Sequence, residues 1–227
     1  MLFNHVEFYN FTQMILEKPN RFIVVNGDII NNNLKHSAGS PYEDIISPRD
    51  QKKEAQRMLL PLRERIACMN GGNHEERSKK EAGLDVTEEM ADFLGVPYQE
   101  DQNLLKVTIG KRKDNSKKVV YTLYITHGSG GGKRPGSALN NIEDLSKNIL
   151  ADVYIMGHTH KLIAHRAIFQ EPDLRNGKVV QREQLYVLSA GWLEYGGYPV
   201  RGLMRPQVRG AKPITLFGTE KRTEAKI

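Results

Sequence analysis

The chain has 227 residues, of which 39% are hydrophobic and 26% are charged, as in a globular protein with one substantial core. It contains no run of about 18 apolar residues, so the sequence excludes a transmembrane helix, and its first residues lack the pattern of a signal peptide. The single cysteine, Cys68, excludes an internal disulfide and a thiolate metal site, and favours a cytoplasmic protein.

The net charge of +6 is concentrated towards the C-terminus. Residues 201–227 carry seven Lys or Arg side chains against two Glu, whereas residues 1–200 are nearly neutral. Any attraction to a polyanion such as nucleic acid is therefore expected from this basic C-terminal segment. We predict one domain over residues 1–227, with a motif-bearing body over residues 1–200 followed by the basic segment.

Helices and short strands alternate along the first half of the chain. Apolar residues at a helical period, and short apolar runs that end near glycine or proline, set the predicted boundaries. In chain order we predict a helix over residues 3–17, a strand over 21–25, a helix over 50–64, a strand over 66–69 and a helix over 86–94.

The second half of the chain continues this alternation. We predict hairpin strands over residues 104–109 and 119–126, a helix over about residues 138–149, and strands over 152–156, 184–188 and 213–217. A glycine-rich loop over residues 128–136 precedes that helix. Alternating strands and helices indicate an α/β fold class.

Four polar clusters each follow a predicted strand and contain a glycine. They are Gly27-Asp28, Gly72-Asn73-His74-Glu75, His127-Gly128 and Gly157-His158-Thr159-His160. Loops at the carboxyl ends of strands in an α/β sheet line one crevice, so we expect the clusters to converge. One Asp carboxylate, one Asn carbonyl and several imidazoles suit Mn, Zn, Fe or Ni better than Ca or Mg. A single cluster is also typical of an ordinary turn, whereas four in this order favour a metal site.

The order of these clusters resembles the motifs of the calcineurin-like phosphoesterase superfamily, which run D-x-H, GD-x-x-D, GNH-D/E, H and GH-x-H. The four clusters match the second to fifth motifs, over residues 27–160. The sequence also resembles phosphoesterases encoded by bacteriophages. The resemblance implies an α/β metallophosphoesterase sandwich of two mixed β-sheets flanked by helices, which hydrolyses phosphate monoesters or diesters.

The resemblance also implies a role for each matched residue. Two divalent cations are expected, with manganese preferred and zinc, iron or nickel as alternatives. Asp28 would bridge the two ions, and Asn73, His127 and His158 would complete the ligands of the second ion, while His160 would bind the first. His74 would not be a ligand, but would stabilise the leaving oxygen or donate a proton to it. Two such ions can activate water and stabilise in-line displacement at phosphorus.

Two features depart from the family pattern. Asn31 stands where many members have a second Asp that orients the catalytic histidine, so we expect it to orient His74 less strongly and to lower the rate modestly. The D-x-H motif and its strand are missing, because no Asp precedes Asp28. The chain is then a fragment or starts internally, which we favour, or is a degenerate homologue that binds one metal, or takes the strand from another chain. For this sequence, we expect the second metal site to be intact, the first to be impaired, and the hydrolytic activity to be low or lost.

Two further loops have both a functional and a structural interpretation. In the glycine-rich loop, Lys133 and Arg134 would contact the substrate's phosphate if the loop is a mobile lid, but a flexible connector is the favoured interpretation. In residues 189–198, Trp192, Tyr195 and Tyr198 could stack on a base or organic leaving group, or pack against the core.

Three functions therefore follow from the sequence. The first is a metal-dependent phosphoesterase acting on small molecules or nucleotides. The second is a nuclease of the same superfamily, whose affinity for DNA would depend on salt. The third is an inactive remnant that binds metal or a partner. A membrane partner is not expected, and the sequence leaves the substrate and the oligomeric state open.

Overall fold

The structure is a computed structural model that describes residues 3–37, 39–132, 134–196, 200, 203 and 205–226. The chain divides into two compact units, which we call unit 1 and unit 2. Unit 1 consists of Met1–Asn103 with Gly191–Gly210, and unit 2 consists of Leu104–Ala190 with Ala211–Ile227. That the whole chain acts as one domain stays a prediction.

Unit 1 contains four helices and a parallel sheet among its described residues. Its elements are α1 (His5–Leu16), β1 (Ile23–Asn26), a 3₁₀ turn (Pro41–Glu43), α2 (Pro48–Leu59), a second 3₁₀ helix (Leu60–Arg65), β2 (Ile66–Asn70), α3 (Glu76–Ala82), α4 (Val86–Leu94) and β3 (Tyr98–Gln99). The strands lie in the order β1-β2-β3, and both neighbouring pairs are parallel. Parallel pairing directs the carboxyl ends of β1 and β2 to the same edge, where two of the polar clusters begin.

Local sequence signals define the helices of unit 1. Ser47 caps α2 by accepting a hydrogen bond from the Asp50 N–H, and proline occupies the first helical position. Asp85 caps α4 in the same way, and Gly95 ends it with a left-handed backbone. The apolar faces of these helices and β2 form the core. Its fully buried members include Leu62, Met69, Met90 and Ala91.

Unit 2 is built on a five-stranded mixed sheet. Its elements are β4 (Gln102–Ile109, which begins at the end of unit 1), β5 (Val119–Thr126), α5 (Pro135–Asp144), a 3₁₀ turn (Leu145–Lys147), β6 (Val153–Met156), β7 (Ile163–Asp173), β8 (Lys178–Leu188), β9 (Ile214–Leu216) and β10 (Thr223–Ala225). The order is β4-β5-β6-β8-β7, in which β5, β6 and β8 are parallel and β7 is antiparallel to β8. Strands β9 and β10 form a separate antiparallel pair.

The predicted α/β class is confirmed, and the predicted helices and strands match observed elements with shifted ends. The helix predicted over residues 138–149 runs from Pro135 to Asp144 and continues as the 3₁₀ turn. Strand β7 and helix α3 were not predicted, because β7 lies at the edge of its sheet with none of its residues fully buried and α3 is short and polar. No helix in the described part of the chain is both long and apolar enough to cross a bilayer.

Candidate metal-binding and catalytic residues

In unit 1 a buried carboxylate joins the loops that follow β1 and β2. Glu75 is 2% exposed, and its two carboxylate oxygens accept the backbone N–H groups of Asp28 and Ile30, each at 3.0 Å. The backbone N–H of His74 donates in turn to Asp28 Oδ1 at 3.0 Å. Burial, together with the nearby Asp28 carboxylate, raises the pKa of Glu75 to about 7. The loop that carries Asp28 is therefore held in place by the motif that carries His74.

The same junction explains the glycine at position 72. Asp28 has a φ of 49°, a left-handed backbone that few residues other than glycine adopt. A Cβ atom on Gly72 would lie 2.1 Å from the Asp28 nitrogen and 2.7 Å from Glu75 Oε2. Only glycine therefore lets the two loops approach this closely.

Both ring nitrogens of His74 lie near oxygen atoms of the loop that follows β1. Its Nδ1 lies 3.3 Å from the Ile30 carbonyl oxygen, so Nδ1 carries the hydrogen in that contact. Its Nε2 lies 3.7 Å from Asp28 Oδ2. The His74 side chain is 24% exposed and that of Asp28 is 11% exposed. Asn73 directly precedes His74 in the same loop and is half-buried.

Asn31 lies next to a carboxylate that the sequence interpretation did not consider. Its side-chain nitrogen donates to Asp44 Oδ1, and its backbone N–H donates to Gln51 Oε1 at 2.9 Å. Asp44 also accepts from Gln51 Nε2 at 3.1 Å. An Asp at position 31 would bring two carboxylates into contact, which gives a physical reason for an amide there. The orienting role of Asn31 towards His74 stays a prediction.

In unit 2 the ends of two adjacent parallel strands carry the histidines. The last register pair of β5 and β6 is Thr126 with Met156, and the Gly157 N–H donates to the His127 carbonyl oxygen at 3.1 Å. The rings of His127 and His158 meet edge to face, with centroids 5.3 Å apart. A ring nitrogen of each lies within 4.8 Å of the other.

The histidines of unit 2 differ in exposure and share an unusual backbone. His127 is buried, His158 is half-buried and His160 is exposed. His158 and His160 have φ values of 57° and 52°, so both occupy the left-handed region that is costly for residues other than glycine. Such local strain is concentrated at functional sites in proteins.

The glycine-rich loop of unit 2 is held by a lysine that the sequence interpretation missed. Lys161 is 6% exposed, and its Nζ donates to the Gly132 carbonyl oxygen. Burial lowers the pKa of this ammonium group. Arg134 is exposed at the start of α5, and Lys133 lies outside the described residues. The only sequence signal for Lys161 is its position immediately after His160.

The aromatic loop of unit 1 packs against α1. Trp192 contacts Phe8 and Phe11, with ring centroids 5.5 Å and 5.0 Å apart. These contacts support the packing interpretation for Trp192. Tyr195 is half exposed, and Tyr198 lies outside the described residues.

The available donors fit divalent transition metals. Unit 1 offers the Asp28 carboxylate, whose position is fixed by the backbone bonds just described. Unit 2 offers the paired imidazoles of His127 and His158. Oxygen and imidazole donors without a thiolate match the preferences of manganese, iron, nickel and zinc. The one cysteine, Cys68, is buried in β2.

Comparison with known proteins places the chain in a family. The sequence model described as calcineurin-like phosphoesterase matches residues 3–162, well over half of the chain. Among solved structures, a single mutant of Vps29 from Entamoeba histolytica is 16% identical, with a TM-score of 0.36 and coverage of 89% of this chain and 97% of that one. A double mutant of the same protein is 15% identical, with a TM-score of 0.35 and the same coverage. No curated protein sequence matches the chain.

Proposed function

This chain belongs to the calcineurin-like phosphoesterase family, and on that premise we propose that it hydrolyses a phosphate monoester or diester with two divalent metal ions. The observation that carries the proposal is the Glu75 junction, which fixes Asp28 and His74 by backbone hydrogen bonds. Such preorganisation is what transition-state stabilisation requires.

We assign the metal ligands as the family motifs imply. Asp28 would hold both ions, Asn73, His127 and His158 would complete the ligands of one, and His160 would hold the other. When bound, the ions supply positive charge that polarises the phosphoryl oxygens and lowers the pKa of water. The edge-to-face contact of His127 with His158 supports their assignment to one ion. Manganese is the proposed metal on the basis of these donors.

His74 is assigned the proton transfer to the leaving oxygen. Because Nδ1 donates to the Ile30 carbonyl, proton exchange with a substrate is left to Nε2. A positioned imidazole of this kind contributes roughly 10²–10⁴-fold to a rate. Asn31 is proposed to help orient this ring, and Arg134 and Lys133 to contact the substrate's phosphate.

The proposal is tested by hydrolysis of bis-p-nitrophenyl phosphate and p-nitrophenyl phosphate with added Mn²⁺. We expect low activity in the wild type, because no Asp precedes Asp28 to complete the D-x-H motif, and a further loss of about 10²–10⁴-fold in His74→Ala, with Mn²⁺ affinity retained. His36→Ala, which changes an exposed histidine of unit 1, is the matched control. A wild type that binds Mn²⁺ but hydrolyses neither ester would favour the inactive remnant.

A second candidate is a nuclease, which the basic segment over residues 201–227 favours. It predicts Mn²⁺-dependent cleavage of DNA, with an affinity that falls steeply as salt rises. Cleavage of the nitrophenyl esters without measurable binding to DNA would leave the small-molecule enzyme as the better assignment. A phage origin and a cytoplasmic location stay predictions.

A further inference from the structure

Lys161 of unit 2 is a buried cation without an anionic partner among the described residues. Its side chain is 6% exposed, and its Nζ donates to the Gly132 carbonyl oxygen, a neutral acceptor. An ammonium group has three donors, so this bond leaves further hydrogen-bonding capacity. A buried charge destabilises the fold unless it is paired. An anion bound next to Lys161 would compensate this unpaired charge.

The position of Lys161 specifies which anion. The loops after β5 and β6 leave the ends of adjacent parallel strands. The first loop carries His127 and, five residues later, Gly132; the second carries His158 and Lys161. The bond between Lys161 and Gly132 joins these two loops, whose first residues include the paired imidazoles. The buried ammonium therefore belongs to the same end of the sheet as His127 and His158.

We propose that Lys161 binds a phosphoryl oxygen of the substrate beside His127 and His158, with the Gly132 carbonyl holding its ammonium group in position. This inference rests on the proposed function, since it names a substrate contact at that site. Compared with the exposed Arg134, a buried lysine provides a charge that is less screened by water and already immobilised. The ligand class is a phosphate monoester or diester, and inorganic phosphate is the simplest probe.

The test separates charge from the structural bond to Gly132. Lys161→Gln keeps an amide that can donate to the Gly132 carbonyl but removes the charge, whereas Lys161→Met removes both. Lys178→Met, at an exposed position of β8, is the control. Titration calorimetry with inorganic phosphate, on the Mn²⁺-loaded protein, should show an affinity about 10- to 100-fold weaker in both Lys161 variants, as for loss of a charge-assisted hydrogen bond. Mn²⁺ affinity and the affinity of the control for phosphate should not change.

Hydrogen exchange of residues 128–132 supplies a readout that a purely structural role would move. We expect faster exchange in Lys161→Met and near wild-type exchange in Lys161→Gln. Wild-type phosphate affinity in Lys161→Gln would overturn the inference and leave Lys161 as a structural latch.

Failure of this inference and failure of the proposed function give different results. If the wild type hydrolyses the nitrophenyl esters and Lys161→Gln keeps its KM and its affinity for phosphate, the inference fails while the function stands. If the wild type hydrolyses neither ester, the function fails, and the phosphate titration of Lys161→Gln still decides whether the lysine binds an anion.

Discussion

Unit 1 and unit 2 hold their candidate ligands by different means. In unit 1 the loop after β1 is fixed by side chains from far along the chain, because both oxygens of Glu75 accept backbone N–H groups at Asp28 and Ile30. In unit 2 the positions of His127 and His158 follow from the register of β5 with β6 and from the backbone bond between Gly157 and His127.

The difference indicates where each unit is sensitive to substitution. At the junction of unit 1, the space that a side chain at position 72 would need is already filled by atoms of Asp28 and Glu75. In the glycine-rich loop of unit 2, by comparison, a Cβ at Gly131 would meet no atom within 4 Å. A glycine-to-alanine substitution should therefore have very different effects at Gly72 and at Gly131.

The largest effect is expected from a substitution that disrupts the junction of unit 1. Gly72→Ala forces a methyl group to within 2.1 Å of the Asp28 nitrogen, so the loops must separate. We expect the free energy of unfolding to fall by about 3 kcal/mol and Mn²⁺-dependent hydrolysis to be lost. Gly131→Ala is the matched control and should change neither property. Denaturant unfolding and the nitrophenyl ester assay measure both, and a stable, active Gly72→Ala would refute the junction as the source of order.

A smaller effect is expected from substituting the buried carboxylate of unit 2. This carboxylate stabilises the sheet, whereas Glu75 of unit 1 holds a loop that carries candidate ligands. Asp152 is 4% exposed and accepts from the Thr122 N–H at 2.8 Å and from Lys221 Nζ at 2.9 Å. Burial opposes its ionisation, but the hydrogen bonds from Lys221 and Thr122 outweigh it, so the pKa of Asp152 is lowered below 3.8. We expect Asp152→Asn to cost about 2 kcal/mol, less than a fully buried pair because Lys221 is partly exposed.

The pH dependence of this effect has a definite sign. Because the folded pKa is lowered, the contribution of Asp152 is present above the unfolded pKa and is lost as pH falls through the folded one. The stability difference between wild type and Asp152→Asn should therefore be constant near neutral pH and shrink in acid. Urea unfolding at several pH values measures it, and a difference that grows in acid would contradict the ion pair.

The sequence predicted the elements that end in the clusters because their strands are short apolar runs followed by glycine and polar residues. It could not predict β7, whose 11 residues alternate weakly and lie at an edge of the sheet. It also gave Glu75 no role, although that residue belongs to a recognised motif. The reason is physical: the bonds from Glu75 reach residues 45 and 47 positions away, and only the parallel pairing of β1 with β2 brings them together.

The two remaining features of the site depend on burial, which no local pattern specifies. The sequence predicts a surface position for the lysine after His160. Its side chain is only 6% exposed in the structure, where it donates to the loop that carries Gly132. From the sequence, Asn31 is a weaker substitute for the Asp found at this position in many family members. The structure gives the amide a role of its own, because its nitrogen donates to Asp44. A substitution relative to a family can thus be judged only together with its neighbours.

The smallest effect is expected at position 31, where a substitution tests whether unit 1 requires an amide or a carboxylate near His74. Since the Asn31 side chain donates to Asp44, Asn31→Asp places two carboxylates in contact. We expect it to lower the free energy of unfolding by about 1 kcal/mol, and to lower kcat with it. In Asn31→Asp/Asp44→Asn the bond is restored with donor and acceptor exchanged, and we expect stability to recover in part. Recovery is incomplete because the Asn33 amide also donates to Asp44 Oδ1, at 3.0 Å.

That double variant also decides how position 31 acts on His74. With a carboxylate at position 31 and no repulsion from position 44, the protonated ring should be better stabilised, so kcat should equal or exceed that of the wild type. Asp44→Asn alone is the control, because it removes the charge at position 44 and leaves the Asn31 amide in place. If Asn31→Asp by itself raises kcat with no loss of stability, the contact with Asp44 does not determine the residue at this position, and the weaker orientation of His74 by an amide is then the whole effect.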